Sequence, residues 1–322
     1  MMGLAGEAER FQSGGVCAEA QGVTAIENEK GIFFCVQAEQ RGEIVVVGCR
    51  PFDETAEFTV PGALAGLRVA GVSDLNVPQC ETLRFDEGIR YIDSLRGWRG
   101  FARVALPQSL ESVGPSAFSG CTALQALETV ARSIGSRAFM DCAALERVTL
   151  TGTVSIGAEA FARCVSLREV RLPDSLISMG ADDSEECVRG AVFADCDRLA
   201  SVFIGAGLQE MMGNPLRGCS ALRAVHIAPE NRRFILRDGL LIDRVERTLI
   251  AALPQGQKEQ MTVPADVRCL ERDALSGTCV RWVELPHEEI TVREYGLFAE
   301  RRLYWARRRV VSVEMLLQAA QG

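Results

Sequence analysis

AEAFARCVSLREVRL, residues 158–172, places Phe161, Cys164, Leu167 and Val170 at intervals of three and closes on Leu172. The same frame returns as PSAFSGCTALQALET (115–129), SRAFMDCAALERVTL (136–150), GAVFADCDRLASVFI (190–204) and GNPLRGCSALRAVHI (213–227). A unit this short cannot bury its own apolar side. Repetition at a near-constant period therefore predicts a stacked, open-ended solenoid whose coils bury their apolar edges against one another.

Each coil divides in two. After the Cys, Leu145-x-x-Val148-x-Leu150 and Leu167-x-x-Val170-x-Leu172 end on a period of two, the pattern of a half-buried strand. Stacking sets equivalent strands side by side in a parallel sheet. The short Ala-Phe segment before the Cys predicts a helical turn or 3₁₀ piece. Gly114, Gly135 and Gly157 precede that segment, where the chain turns a tight corner. The expected fold class is thus an α/β repeat: a parallel sheet on one side and short helical turns on the other.

Outward from these coils the frame weakens. IDSLRGWRGFARVAL (92–106) fits with Trp98 at the Cys position and Phe101 at the Leu position, and 263–278 parallels 106–121. Successive cysteines of the frame stand 21, 22, 32 and 23 residues apart, and the long step holds ADDSEECVRG (181–190). That acidic stretch ending in Gly reads as a surface loop. Residues 1–30 form a leader without clear pattern. Residues 31–75 alternate β-like runs with turn signals, which predicts a β-rich cap over the first coil. The solenoid spans 76–290, with a β-hairpin insert at 231–254. Residues 291–322 hold Leu297, Tyr304 and Val311 at heptad spacing, which predicts an amphipathic helical cap from about Glu294 to Ala320.

Twelve cysteines would suggest disulfides in a secreted chain. Cys121, Cys142, Cys164, Cys196 and Cys219, however, share one frame position, and a buried Cys behaves as a small hydrophobe. The column reads as a core ladder of free thiols. Disulfides and a metal stand as alternatives, but parallel side-chain vectors suit the S–S torsion poorly.

The quoted residues resemble the BspA-type leucine-rich repeat, Ile-Gly-x-x-Ala-Phe-x-x-Cys-x-x-Leu-x-x-Val-x-Leu-Pro. Ile156, Gly157, Ala160, Phe161, Cys164, Leu167, Val170, Leu172 and Pro173 fill every named position. Asn231 followed by Asp238-Gly239 and the Leu249-Ile250 strand resembles an insert that recurs in that family, and 58–72 resembles the segment that often opens the array. The resemblance, over roughly 58–290, implies a leucine-rich-repeat solenoid. It also implies cell-surface adhesion and protein binding, usually on exported bacterial proteins.

No catalytic constellation accompanies the frame. His226 and His287 lack a histidine partner at metal spacing, and no two cysteines stand three apart. Phosphate-binding glycine loops, dinucleotide fingerprints and nucleophile elbows are absent. We therefore expect no enzymatic activity, cofactor or metal. A net charge of −8 opposes general nucleic-acid binding, and no stretch has the roughly 18 apolar residues of a membrane span. MMGLAGEAER lacks the apolar core of a signal peptide, so the expected location is cytoplasmic, with the cell surface as the alternative from the resemblance.

The expected function is a protein-interaction module. Alternation along the strands turns two columns outward: Arg103, Ala126, Arg147, Glu169, Ser201, Ala224, and Ala105, Glu128, Thr149, Arg171, Phe203, His226. Arg147, Thr149, Glu169, Arg171, Phe203 and His226 are the candidate partner contacts, since Arg and aromatic residues dominate binding hot spots. A second reading makes the array a structural spacer. Its contact would then be the basic C-terminal helix bearing Arg301, Arg302, Arg307, Arg308 and Arg309 beside Tyr304 and Trp305.

Overall fold

The fold was taken from a computed structural model. It describes residues 16–20, 23–38, 40, 42–53, 55–97, 99–181, 190–254, 259–271, 273–286, 289–293, 300–304 and 310–314. Two parallel ladders run along the solenoid. The face ladder carries the strands that follow each Cys. It comprises Glu57–Val60, Thr82–Phe85 and Arg103–Ala105, then Ala126–Thr129 with Arg147–Leu150, then Glu169–Arg171, Ser201–Ile204 and Ala224–Ile227. Its register is the one the frame predicts: Leu127 opposes Val148, Val170 opposes Val202, and Val202 opposes Val225.

The opposite ladder uses strands of two to four residues: Tyr91–Ile92, Ser112–Val113, Ser133–Ile134, Ser155–Gly157, Ser178–Ala181 and Glu210–Met211. A two-residue strand has one side chain for each face. Ser112, Ser133, Ser155 and Ser178 stay partly exposed while Val113, Ile134, Ile156 and Met179 are buried.

Between the ladders lies the core. Phe118, Phe139, Phe161 and Phe193 are fully buried, and their rings stack from coil to coil at 5.1, 5.3 and 5.5 Å. The cysteine column runs beside them with every member buried and unpaired. Four of the five thiols donate to the carbonyl of the Phe one coil back: Cys142 to Phe118 and Cys164 to Phe139 at 3.3 Å, Cys196 to Phe161 at 3.2 Å, Cys219 to Phe193 at 3.1 Å.

Burial pushes the Cys121 and Cys219 thiols up to about 12 from 9.0, and drives Cys142, Cys164 and Cys196 upward as well. Two outcomes are expected. Iodoacetamide followed by peptide mapping should label exposed Cys279 and leave these five unlabelled until denaturant is added. Stability should also fall as pH rises above 9, because the unfolded chain ionises these thiols in a range where the folded chain holds them neutral. Labelling of the five at the rate of Cys279 would contradict the burial.

The expected helical turns are absent from the Phe-bearing segments, and the cause is local. Ser116, Arg137, Glu159 and Ala191 have φ of 55°, 58°, 55° and 51°, and four residues later Gly120, Asp141, Arg163 and Asp195 lie between 56° and 75°. Two left-handed residues bracketing each Phe interrupt any right-handed helix. The Phe N–H groups run along the solenoid axis to the next coil, Phe118 to Ala138 (2.7 Å), Phe139 to Ala160 (2.8 Å), Phe161 to Val192 (2.9 Å) and Phe193 to Pro215 (2.8 Å), while their neighbours close isolated turns such as Ser119 to Ser116 (3.1 Å). Each coil is a turn hydrogen-bonded to its neighbour. The architecture is a repeat of strands and turns.

At the N-terminal end, Val16–Ala20, Val23–Asn28, Gly31–Gln37 and Glu43–Pro51 form an antiparallel sheet that joins the opposite ladder through Leu67–Val72. Strand structure thus begins inside the stretch read as a leader. The acidic stretch 181–190 lies mostly outside the described residues, but its ends meet: Gly190 N–H donates to Gly180 O at 2.9 Å.

Phe234–Arg237, Leu240–Asp243 and Thr248–Ala252 make three antiparallel strands rather than a simple hairpin. Asp238 and Gly239, with φ of 51° and 79°, form its two-residue turn. Asn231, buried at its base, uses all its bonding capacity. Its amide donates to Gly205 O and Leu208 O at 3.0 and 3.2 Å, and its carbonyl accepts from the N–H groups of Arg233 and Phe234 at 3.0 Å.

The C-terminal helix is overturned at residues 300–304 and 310–312, which are strands, while Val313 and Glu314 are helical. Glu300–Tyr304 pairs antiparallel with Glu289–Arg293, and Val310–Ser312 pairs antiparallel with Trp282–Glu284. The last parallel strands present unpaired N–H and C=O groups, and antiparallel strand addition satisfies them. Arg301, Arg302 and Tyr304 therefore belong to a strand, while Trp305, Arg307, Arg308 and Arg309 lie outside the described residues. Among the described residues no helix is long and apolar enough to cross a membrane.

Candidate interaction surface

The candidate contacts stand on the face ladder, away from the core. The register sets Glu169 beside Ser201 and Ala224, and Arg171 beside Phe203 and His226. Val170, Val202 and Val225 between them are buried, so alternation turns their neighbours outward. Adjacent strands stand about 4.8 Å apart, close enough for side chains of one column to stack.

They do stack. The Arg171 guanidinium carbon sits 3.8 Å from the Phe203 ring centroid. The Phe203 and His226 rings stack at 4.5 Å with 18° between planes. Glu169 Oε1 accepts from Arg171 Nε at 2.9 Å, and Ser201 Oγ donates to Glu169 Oε2 at 3.4 Å. A cation over an aromatic face contributes about 0.5–1 kcal/mol at exposed sites, and an exposed ion pair contributes about 0.2–1 kcal/mol. These contacts hold Arg171 and Phe203 in place more than they stabilise the fold. Fixing a long side chain before binding lowers the entropy lost on contact.

Four of the six sequence-predicted residues, Glu169, Arg171, Phe203 and His226, are thus brought together. Arg147 and Thr149 are exposed on the same face but belong to the preceding pair of strands. Among the described residues no ion pair or ring contact links them to the stack.

Sequence reasoning missed Arg168 and Arg223. Both are exposed, and both occupy the position just before the strand, in line with Ala200. Ala200 N–H donates to Arg168 O, and Arg223 N–H donates to Ala200 O, each at 2.9 Å. Neither guanidinium has an ion-pair partner among the described residues. Their signal lay one residue before the alternating pattern begins.

No group of three or more His, Cys, Asp or Glu side chains among the described residues is placed to hold a metal.

A family profile described as the BspA type leucine rich repeat region matches residues 93–223 in six copies. Among solved structures, the chain is similar to the pneumococcal vaccine antigen PcpA, with a TM-score of 0.54, 18% identity and coverage of 81% of this chain. It spans 64% of the length of that structure. It is also similar to a leucine-rich cell surface protein from Faecalibacterium prausnitzii A2-165, with a TM-score of 0.47, 16% identity, and 85% and 71% of the two chains covered. Comparison with curated proteins gives no match. At 18% identity the likeness to PcpA speaks to the fold alone, and it agrees with the coil-by-coil register described above. Residues 93–223, the repeat array, thus match the BspA-type leucine-rich repeats in sequence.

Proposed function

We propose that this chain is a non-catalytic protein-interaction module that takes its partner on the face ladder. The contact would centre on Glu169, Arg171, Phe203 and His226, with Arg147 and Thr149 on its flank. The observation that carries this reading is the Arg171–Phe203–His226 stack. A large aromatic side chain is held on an open sheet between an arginine and an imidazole, where core packing does not require it. Arg and aromatic residues are the side chains that most often anchor protein interfaces, and repeat solenoids bind through extended faces of this kind. The association of BspA-type repeats with adhesion favours a cell-surface setting, which labelling of intact cells with an impermeant biotin reagent would test.

The functional test compares partner recovery by the immobilised full chain as wild type, Arg171→Glu with Phe203→Asp, and Arg132→Glu. Arg132 is an exposed residue at the start of an opposite-ladder strand. Recovery should be lost in the double variant and kept in Arg132→Glu. Equal recovery by all three would remove the sheet-face reading.

The spacer reading rested on a basic C-terminal helix. Glu300–Tyr304 is a paired strand, so Arg301 and Arg302 offer no helical contact.

A further inference from the structure

We infer that the partner segment bound at this face is acidic: a stretch of polypeptide carrying Asp or Glu beside an apolar or aromatic side chain. The inference rests on the sheet-face reading and specifies it. The whole chain carries a net charge of −8, yet the three strands from Glu169 to Ile227 and the residues leading into them reverse that sign. Their outward positions hold Arg168, Arg171 and Arg223 against the single carboxylate of Glu169, which Arg171 already engages at 2.9 Å.

The layout of this patch suits an extended segment. Arg168 and Arg223 are two strands apart, about 10 Å by strand spacing. Between them the outward positions are small: Ala200, Ser201 and Ala224. Along the far side of this low floor runs the Arg171–Phe203–His226 stack. A segment lying across the strands meets two guanidinium groups that have no ion-pair partner among the described residues on one side and a row of planar side chains on the other. Carboxylates match guanidinium forks in geometry as well as charge. An apolar or aromatic side chain matches the outward edge of this stack, whose central Phe203 is half-buried between its two neighbours. On one flank the adjacent strand offers exposed Arg147 and Thr149, with Glu146 just before it and Glu128 one strand further, and Glu230 stands beyond the last strand.

The test selects a random dodecapeptide phage library on the immobilised full chain. A selected peptide is then titrated against wild type, Arg168→Glu/Arg223→Glu, Phe203→Asp and Arg132→Glu, with melting temperatures checked for each. Arg168 and Arg223 are exposed, so their reversal should leave the melting temperature unchanged.

Selected peptides should be enriched in Asp and Glu relative to the unselected library. The Arg168→Glu/Arg223→Glu variant should bind them at least about tenfold more weakly. Raising NaCl from about 0.05 M to about 0.5 M should weaken the wild type and leave the variant little changed.

Neutral or basic peptides whose binding ignores Arg168→Glu/Arg223→Glu but is lost in Phe203→Asp would overturn the acidic inference and leave the sheet-face reading standing. Peptides indifferent to both changes would overturn both. Absence of any enriched peptide would overturn the inference. So would heparin binding that only the arginine reversals abolish, since that would assign the patch to a polyanionic glycan.

Discussion

Phe139→Ala is expected to cost about 3–5 kcal/mol, while Arg147→Ala on the same coil should stay within about half a kcal/mol. Phe139 is fully buried, and its ring stacks at 5.1 Å on Phe118 and at 5.3 Å on Phe161. Truncation removes the middle ring of a row, and the neighbours cannot close the gap, because backbone hydrogen bonds fix the coil spacing. Phe118 N–H is bound to Ala138 O at 2.7 Å and Phe139 N–H to Ala160 O at 2.8 Å. The cavity therefore persists, and the cost should lie toward the upper end of the range. Arg147 is exposed and has no ion-pair partner among the described residues, so its loss removes little. Thermal melts of the two variants check the pair. Equal shifts would mean that the inside and outside of the coil have been assigned the wrong way round.

Gly157→Ala should destabilise the array by about 1–3 kcal/mol, far more than one exposed methyl group normally matters. Its Cβ would stand 2.4 Å from Ser136 N and 2.7 Å from Gly135 C. Both are backbone atoms of the preceding coil, so no flexible side chain can move aside. The same contact recurs one coil earlier, where a Cβ on Gly135 would meet Pro115 N at 2.6 Å and Gly114 C at 2.7 Å. These glycines are needed for close approach between coils. At Gly152, by contrast, a Cβ meets nothing within 4 Å, but φ of 76° makes any substitution a conformational cost. Urea melts of Gly157→Ala should show a lower midpoint. A midpoint equal to wild type would show that the coils can separate at that corner without loss.

The core was legible in the sequence because one frame position holds one kind of side chain in every coil. Phe118, Phe139, Phe161 and Phe193 could be aligned by eye, as could the five cysteines, and burial of apolar side chains is what repetition of this kind signals. The outward columns followed from the alternation of Val170-x-Leu172 and its equivalents. That alternation alone sets Arg171, Phe203 and His226 in one line.

The turn conformation was not legible, since Arg137, Glu159 and Asp141 occupy left-handed positions without the glycine that usually marks them. Hydrogen bonds to the next coil hold them there, and those bonds come from stacking rather than from local preference. The C-terminal strands escaped for a related reason. Heptad spacing in 294–320 reports one period, while the open edges of Glu289–Arg293 and Trp282–Glu284 impose another. Arg168 and Arg223 were overlooked because they precede the strand and take no part in its alternation.

The central claim is that the face ladder carries the binding function, and a co-crystal structure of the full chain with a selected peptide tests it most directly. The peptide should lie across Arg168–Arg171, Ser201–Phe203 and Arg223–His226, with a carboxylate on Arg168 or Arg223 and a side chain against Phe203. A peptide seated on the opposite ladder, against Ser112, Ser133 and Ser155, would contradict it.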